Sequence, residues 1–212
     1  MTFHPDSLDI DIPAPASQFI GGEWQEHYPQ FVDVISPTTE ESLLQVADPT
    51  PEDADAAVVA AREAFDKGPW PGMPVTERVT ACRRLCDLLE TRMELLNRAW
   101  AFESGPTLAH GAIINGTAGV SIWRQALELA PNLLWEEERD GALIWREPIG
   151  TVLGVLTFNG PIVLMGMKII PALLAGCTVI IKHAPESVLT SRLIAEAIRE
   201  AEFPPGVVSV LA

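Results

Sequence analysis

The residues best equipped for chemistry lie in the last third of the chain: an amide, an ammonium and a thiol. Asn159 follows the β-branched run 151–157, Lys182 closes a second run over 177–182, and Cys177 opens that run. Each run gives way to a helix-compatible segment, and a third run begins at Val207. Short strands alternating with helices of this length mark βαβ units and a buried parallel sheet. In such sheets ligands sit at the carboxyl ends of the strands, where Asn159 and Lys182 fall. Thiolates are nucleophiles, but Cys177 heads an apolar strand and reads as a buried structural thiol. On local grounds alone Asn159, standing before Gly160-Pro161, is a turn or cap residue, and Lys182 only solvates a strand end.

The elements that must position these groups begin upstream. Phe19 to Trp24 reads as a hairpin turning at Gly21-Gly22. Phe31 to Ile35 and Leu43 to Ala47 read as strands, with a turn at 36–39. Thr50-Pro51-Glu52-Asp53 opens a helix: Thr50 caps, Pro51 suits the first position, and Asp53 sits near the positive dipole end. Its apolar face repeats through Ala54, Ala57, Val58, Ala61, Ala64 and Phe65 until Gly68-Pro69 ends it. One long helix is expected from about Thr76 to Glu103, its core stripe running from Val79 to Trp100. A third helix is expected over Ile113 to Leu129. Leu133 to Arg146, acidic with Gly141 between Trp135 and Trp145, reads as an exposed hairpin. The expected organisation is a disordered acidic arm over 1–16, a β and helical part over 17–132, the hairpin over 133–150 and the parallel sheet over 151–212.

Composition narrows the function classes. The chain has 212 residues, 48% hydrophobic and 20% charged, with a net charge of −15. No Lys or Arg precedes Arg62, and the sequence pI is near 4.5. Such a chain has no electrostatic footprint for nucleic acid or an anionic membrane. Three cysteines argue against a disulfide framework, and the N-terminus lacks the basic and apolar regions of a signal peptide, so the expected location is cytoplasmic. Pro148 to Met167 is uncharged over the length of a membrane span and carries a G-x-x-x-G at Gly150 and Gly154. Asn159-Gly160-Pro161 breaks its middle, so the expectation is no membrane.

Taken in order, several pieces of the chain resemble one family. They are Phe19-Ile-Gly-Gly-Glu-Trp24, Ala60-Ala-Arg-Glu-Ala-Phe65, Gly68-Pro-Trp70, Glu103-Ser-Gly105 and Arg146-Glu-Pro-Ile-Gly150. Thr157-Phe-Asn159, Lys168, Pro171-Ala-Leu-Leu-Ala-Gly176, Ile181-Lys182 and Pro204-Pro-Gly-Val-Val208 follow. Across 19–212 the chain resembles the N-terminal part of the aldehyde dehydrogenase superfamily. The resemblance implies an α/β fold, the first half of a Rossmann-like parallel-sheet cofactor domain preceded by helices and a small β region, with the hairpin serving oligomerisation. It implies NAD(P)⁺-dependent oxidation of an aldehyde to a carboxylic acid.

By the same resemblance Asn159 matches the oxyanion-hole asparagine, which stabilises negative charge on the former carbonyl oxygen. Where the family commonly has Pro-Trp before this Asn, this chain has Thr157-Phe158. Lys182 matches the lysine that binds the adenosine ribose. The family often holds the ribose hydroxyls with a Glu three residues later, where this chain has Pro185, with Glu186 one further on. The implied cofactor contacts are thus Thr157, Phe158, Lys182, Pro185 and Glu186, and the cofactor is NAD or NADP, because a carboxylate that repels a 2′-phosphate is displaced. His183, where the family has Pro, reads as facing solvent in preference to meeting a phosphate, and Lys168 as structural or a proton relay. The family's nucleophilic Cys and general-base Glu lie beyond Ala212, and the sheet should stop at its third strand with that edge open. The expectation is a truncated chain, inactive alone, in a homo-oligomer or with the missing C-terminal polypeptide; the alternative is a non-catalytic structural partner. No metal ligand set is expected.

Overall fold

Two-residue strands at one end of the chain and four- and five-residue strands at the other build a single sheet. The computed structural model describes residues 18–26 and 30–212, and the expected arm over 1–16 lies outside the described residues. Strands β1 (Phe19–Ile20) and β2 (Glu23–Trp24) form the expected hairpin. Its turn residues Gly21 and Gly22 have φ of 68° and 101°, which side chains disfavour. A separate antiparallel pair follows, β3 (Phe31–Ile35) with β4 (Ser42–Ala47). Helix α1 (Pro51–Lys67) carries the expected reciprocal cap, Thr50 accepting from the Asp53 N–H while Asp53 accepts from the Thr50 N–H.

The single long helix expected over 76–103 is two: α2 (Val75–Thr91) and α3 (Met93–Ser104). They break at Arg92, whose backbone turns to φ −100°, ψ 8°. Leu89 and Leu96 lie seven residues apart across the break, so the apolar stripe runs on and hides the kink. Thr107 caps α4 (Leu108–Gly111), placing the next helical stretch earlier than Ile113. That stretch continues through a wider π-turn segment (Ala112–Gly119) into α5 (Val120–Leu129). The exposed hairpin is β5 (Glu136–Arg139) with β6 (Ala142–Trp145).

The last third folds as α6 (Pro161–Leu164), a π segment (Met165–Ile169) and α7 (Ile170–Leu174) between β7 (Thr151–Val155) and β8 (Thr178–Lys182), then α8 (Val188–Glu200) and β9 (Val208–Leu211). β7, β8 and β9 are parallel, and the sheet order is β2-β1-β9-β8-β7. The open edge expected on the third strand is therefore occupied: Phe19 of β1 pairs with Val210 of β9. Phe19 and Ile20 are almost fully buried there, and burial of two apolar side chains outweighs the closure of so long a loop. The edge of the parallel part is β7, where Leu153 and Val155 are 62% and 54% exposed.

Alternation along β8 explains the layers. Val179 and Ile181 join the large core with α2, α7 and α8, while Ile180 packs against Ala57 and Ala61 of α1. Gly154 on β7 has a packing role rather than a membrane one: a Cβ there would meet Ile169 Cδ1 at 2.2 Å. Among the described residues no helix is long and apolar enough to cross a membrane.

Candidate active site

The two loops named from the sequence lie side by side. Val155 and Lys182 are register partners at the carboxyl ends of β7 and β8, and the Leu156 N–H donates to the Lys182 carbonyl at 2.9 Å. Thr157, Phe158 and Asn159 therefore emerge next to the segment Lys182 to Glu186. The order β9-β8-β7 is one half of a doubly wound sheet, and the crevice at which such sheets bind ligands opens beside the first strand, here β7.

Asn159 is exposed, and its carboxamide oxygen accepts from the Thr157 hydroxyl at 2.5 Å. The backbone beneath it is fixed from outside the loop. The Trp100 indole N–H donates to the Phe158 carbonyl at 2.6 Å, and Trp100 is 1% exposed. The Trp123 indole N–H donates to the Ile162 carbonyl at 3.0 Å. Lys168 donates to the Val155 carbonyl at 2.9 Å, which gives it a place at the root of the loop. Sequence reasoning put Trp100 on the helical core stripe, gave Trp123 no role, and missed the hydrogen bonds of both. The available signal was that a buried indole needs an acceptor for its N–H.

Lys182 is half-buried. Burial lowers its ammonium below the usual lysine range, while Asp48 and Glu186 pull the other way. One of its three N–H donors reaches the His183 carbonyl at 2.6 Å. Pro185 and Glu186 are exposed, and the Glu186 carbonyl accepts from Ser104 Oγ at 2.5 Å.

His183 does not face solvent. It is 1% exposed, neither ring nitrogen has a hydrogen-bond partner, and burial together with the neighbouring Lys182 ammonium depresses it from 6.5 to about 3. The reason is topological: the His183 N–H donates to the Leu211 carbonyl at 3.0 Å, which continues the ladder one residue past β8 and turns the ring inward.

Glu103, matched from the sequence but given no role, anchors the other end of this loop. Its buried carboxylate accepts from the N–H groups of Leu189 (2.6 Å) and Thr190 (2.8 Å) and from the Thr190 hydroxyl (2.5 Å). It thereby caps the first turn of α8 from another helix. Burial pushes it up to about 7 against the pull of those hydrogen bonds.

None of the three thiols is placed to react. All are free and buried; burial raises Cys82 well above the usual thiol range and Cys86 to about 12. Cys177 is 3% exposed and its carbonyl accepts the Trp70 indole N–H at 3.1 Å. Among the described residues no cluster of His, Cys, Asp and Glu is arranged to hold a metal ion.

A model of the aldehyde dehydrogenase family matches residues 24–212. The chain belongs to the aldehyde dehydrogenase family. Among its relatives is a geranial dehydrogenase of Castellaniella defragrans, 36% identical over 197 residues, covering 90% of this chain and 41% of the relative. Human aldehyde dehydrogenase 1A1 is 36% identical over 205 residues, covering 91% and 40%. A Mycobacterium tuberculosis aldehyde dehydrogenase solved with NAD⁺ superposes with a TM-score of 0.85 at 35% identity, covering 92% of this chain and 41% of that one. The chain thus spans about two-fifths of the length of the relatives it matches.

Proposed function

We propose that this chain supplies the oxyanion donor and the adenosine-ribose contacts for NAD(P)⁺-dependent oxidation of an aldehyde to a carboxylic acid. The observation that carries the reading is Asn159: an exposed side-chain amide at the carboxyl end of β7, on a backbone pinned through the adjacent carbonyl by Trp100. When a thiol adds to an aldehyde, charge develops on the carbonyl oxygen, and a preplaced neutral N–H stabilises that charge more than it stabilises the substrate. The nucleophile comes from outside these 212 residues, because the thiols within them are all buried. On this reading the 212 residues alone turn over no aldehyde.

The residues after β8 fit a dinucleotide. Lys182 offers an ammonium to ribose hydroxyls, and the exposed Pro185 leaves no carboxylate at the position that would repel a 2′-phosphate. Phe158, also exposed, offers an aromatic face on the neighbouring loop. Bound NAD(P)⁺ supplies the hydride acceptor; the chain's own residues bind and orient it. The hairpin β5-β6 supports assembly into a homo-oligomer, because Leu143 and Trp145 stand 59% and 61% exposed on a two-stranded edge. Free buried cysteines fit a cytoplasmic protein.

The test is Asn159→Ala in the enzyme that carries this chain. Turnover should fall about 10²–10³-fold with cofactor affinity nearly unchanged, as for loss of one oxyanion donor. Unchanged turnover would reduce Asn159 to a cap.

A further inference from the structure

Thr157 stands where the resemblance places a proline, and it brings a hydroxyl to the one side chain on which the proposed chemistry turns. We infer that Thr157 is a positioning residue that fixes which end of the Asn159 carboxamide faces the reacting oxygen. The inference rests on the oxyanion reading of Asn159 and adds to it a determinant that a proline at this position lacks.

The geometry identifies the end that Thr157 holds. The contact joins Thr157 Oγ1 to Asn159 Oδ1, and of these two oxygens only the hydroxyl carries a proton. The hydroxyl therefore donates to the amide oxygen, and the Nδ2 donor is turned away from it. Thr157 suits this task because a β-branched side chain has few χ1 states. The amide needs such a partner because its own terminal torsion is broad and roughly two-fold. Flipped, Asn159 would present oxygen lone pairs to a developing oxyanion, which turns an attraction into a repulsion.

The rest of the loop leaves this one degree of freedom open. Trp100 fixes the Phe158 carbonyl, Lys168 the Val155 carbonyl and Trp123 the Ile162 carbonyl. These bonds set where the Asn159 backbone sits and do not touch its carboxamide. Both Thr157 and Asn159 are exposed, so removing the hydroxyl leaves no buried orphan and should not disturb folding.

The experiment compares Thr157→Val, Thr157→Ser and Asn159→Ala, and adds Thr157→Val in the Asn159→Ala background, all in the enzyme that carries this chain. Thr157→Val should lower kcat about three- to tenfold, the equilibrium worth of one neutral hydrogen bond. The thermal midpoint should not move, and any change in KM for the cofactor should be smaller than the change in kcat. Thr157→Ser, which keeps the hydroxyl, should recover most of the lost turnover. In the Asn159→Ala background Thr157→Val should cost nothing further, because the group it positions is gone. Thr157→Ala, measured the same way, replaces the valine variant if that variant packs badly.

If Asn159→Ala is severe but Thr157→Val is silent, the positioning role falls and the oxyanion reading stands. A loss that persists undiminished without Asn159, or that appears in cofactor KM rather than kcat, overturns it as well. If Asn159→Ala is itself silent, the oxyanion reading fails and this inference fails with it.

Discussion

The loops after β7 and β8 share one end of one sheet but are held by opposite means. After β7 the three residues for which roles are proposed, Thr157, Phe158 and Asn159, are all exposed, and the backbone is held by indole N–H groups from α3 and α5 and one ammonium. After β8 only Pro185 and Glu186 are exposed, and the loop is held by the backbone N–H of the buried His183 at its start and by the buried Glu103 carboxylate on the first turn of α8. A loop that presents a neutral donor is thus supported mainly by neutral donors. The loop proposed to meet a ribose carries two buried titratable residues at its ends. The two halves of the site should accordingly fail under different conditions.

The largest way to break that contrast is acid. His183 is depressed in the folded state from 6.5 to about 3, so the unfolded chain takes up its proton first. Stability from this group is complete above pH 6.5 and is lost as pH falls toward 3, at about 1.4 kcal/mol per pH unit, on the order of 5 kcal/mol in all. His183→Met, neutral throughout and of similar size, should remove the dependence. Urea unfolding of variant and parent from pH 7 to 3.5 measures it, and parallel curves would show that the ring reaches water when folded.

Glu103 works with the opposite sign and a smaller range. Its carboxyl is raised from 4.5 to about 7, so its contribution is complete below pH 4.5 and fades as pH rises through 7, by about 3 kcal/mol at most. Glu103→Gln should therefore gain on the parent between pH 4.5 and 7, whatever constant cost the lost carboxylate cap imposes. Between pH 4.5 and 6.5 the His183 and Glu103 slopes cancel, which would leave this part of the parent's profile flat and both groups unnoticed. The difference of each variant from the parent, rather than the parent curve, reveals them. A Gln variant that loses ground steadily toward pH 7 would contradict the assignment.

How much of this could be read from the chain depends on separation along it. Thr50 with Asp53 and Gly21 with Gly22 act within a few residues, and their cap and turn follow from residue type. Asn159 and Lys182 were placed at strand ends by the β-branched runs before them, and the parallel register Val155 to Lys182 then brings them together. The pairing of Phe19 with Val210 and the reach of Glu103 to α8 join residues 191 and 86–87 apart. No periodicity records such contacts. His183 is the sharper lesson: a histidine just past a strand reads as solvated, and only the bond from its N–H to Leu211 shows that the ladder continues and the ring turns in. The break at Arg92 escaped because the core stripe is in phase on both of its sides.

The smallest expected effect concerns what the second loop lacks. Pro185 is exposed, where the family resemblance puts a carboxylate, and Glu186 is the next residue. A carboxylate facing the ribose hydroxyls accepts hydrogen bonds from NAD and repels the phosphate of NADP, so its displacement should leave the two cofactors within roughly tenfold, about 1.4 kcal/mol. The loop tolerates a change here. The Pro185 nitrogen donates nothing, Glu186 is held through its carbonyl by Ser104, and His183 and Glu103 fasten the two ends. Pro185→Glu should accordingly shift preference toward NAD by about tenfold or more without changing turnover on NAD, since Asn159 sits on the other loop. Steady-state kcat/KM with both cofactors measures it. A parent enzyme that already prefers NAD by about a thousandfold would mean that Glu186 or another acid reaches the ribose, and the contrast between the loops would then need a carboxylate on the outward face of the second.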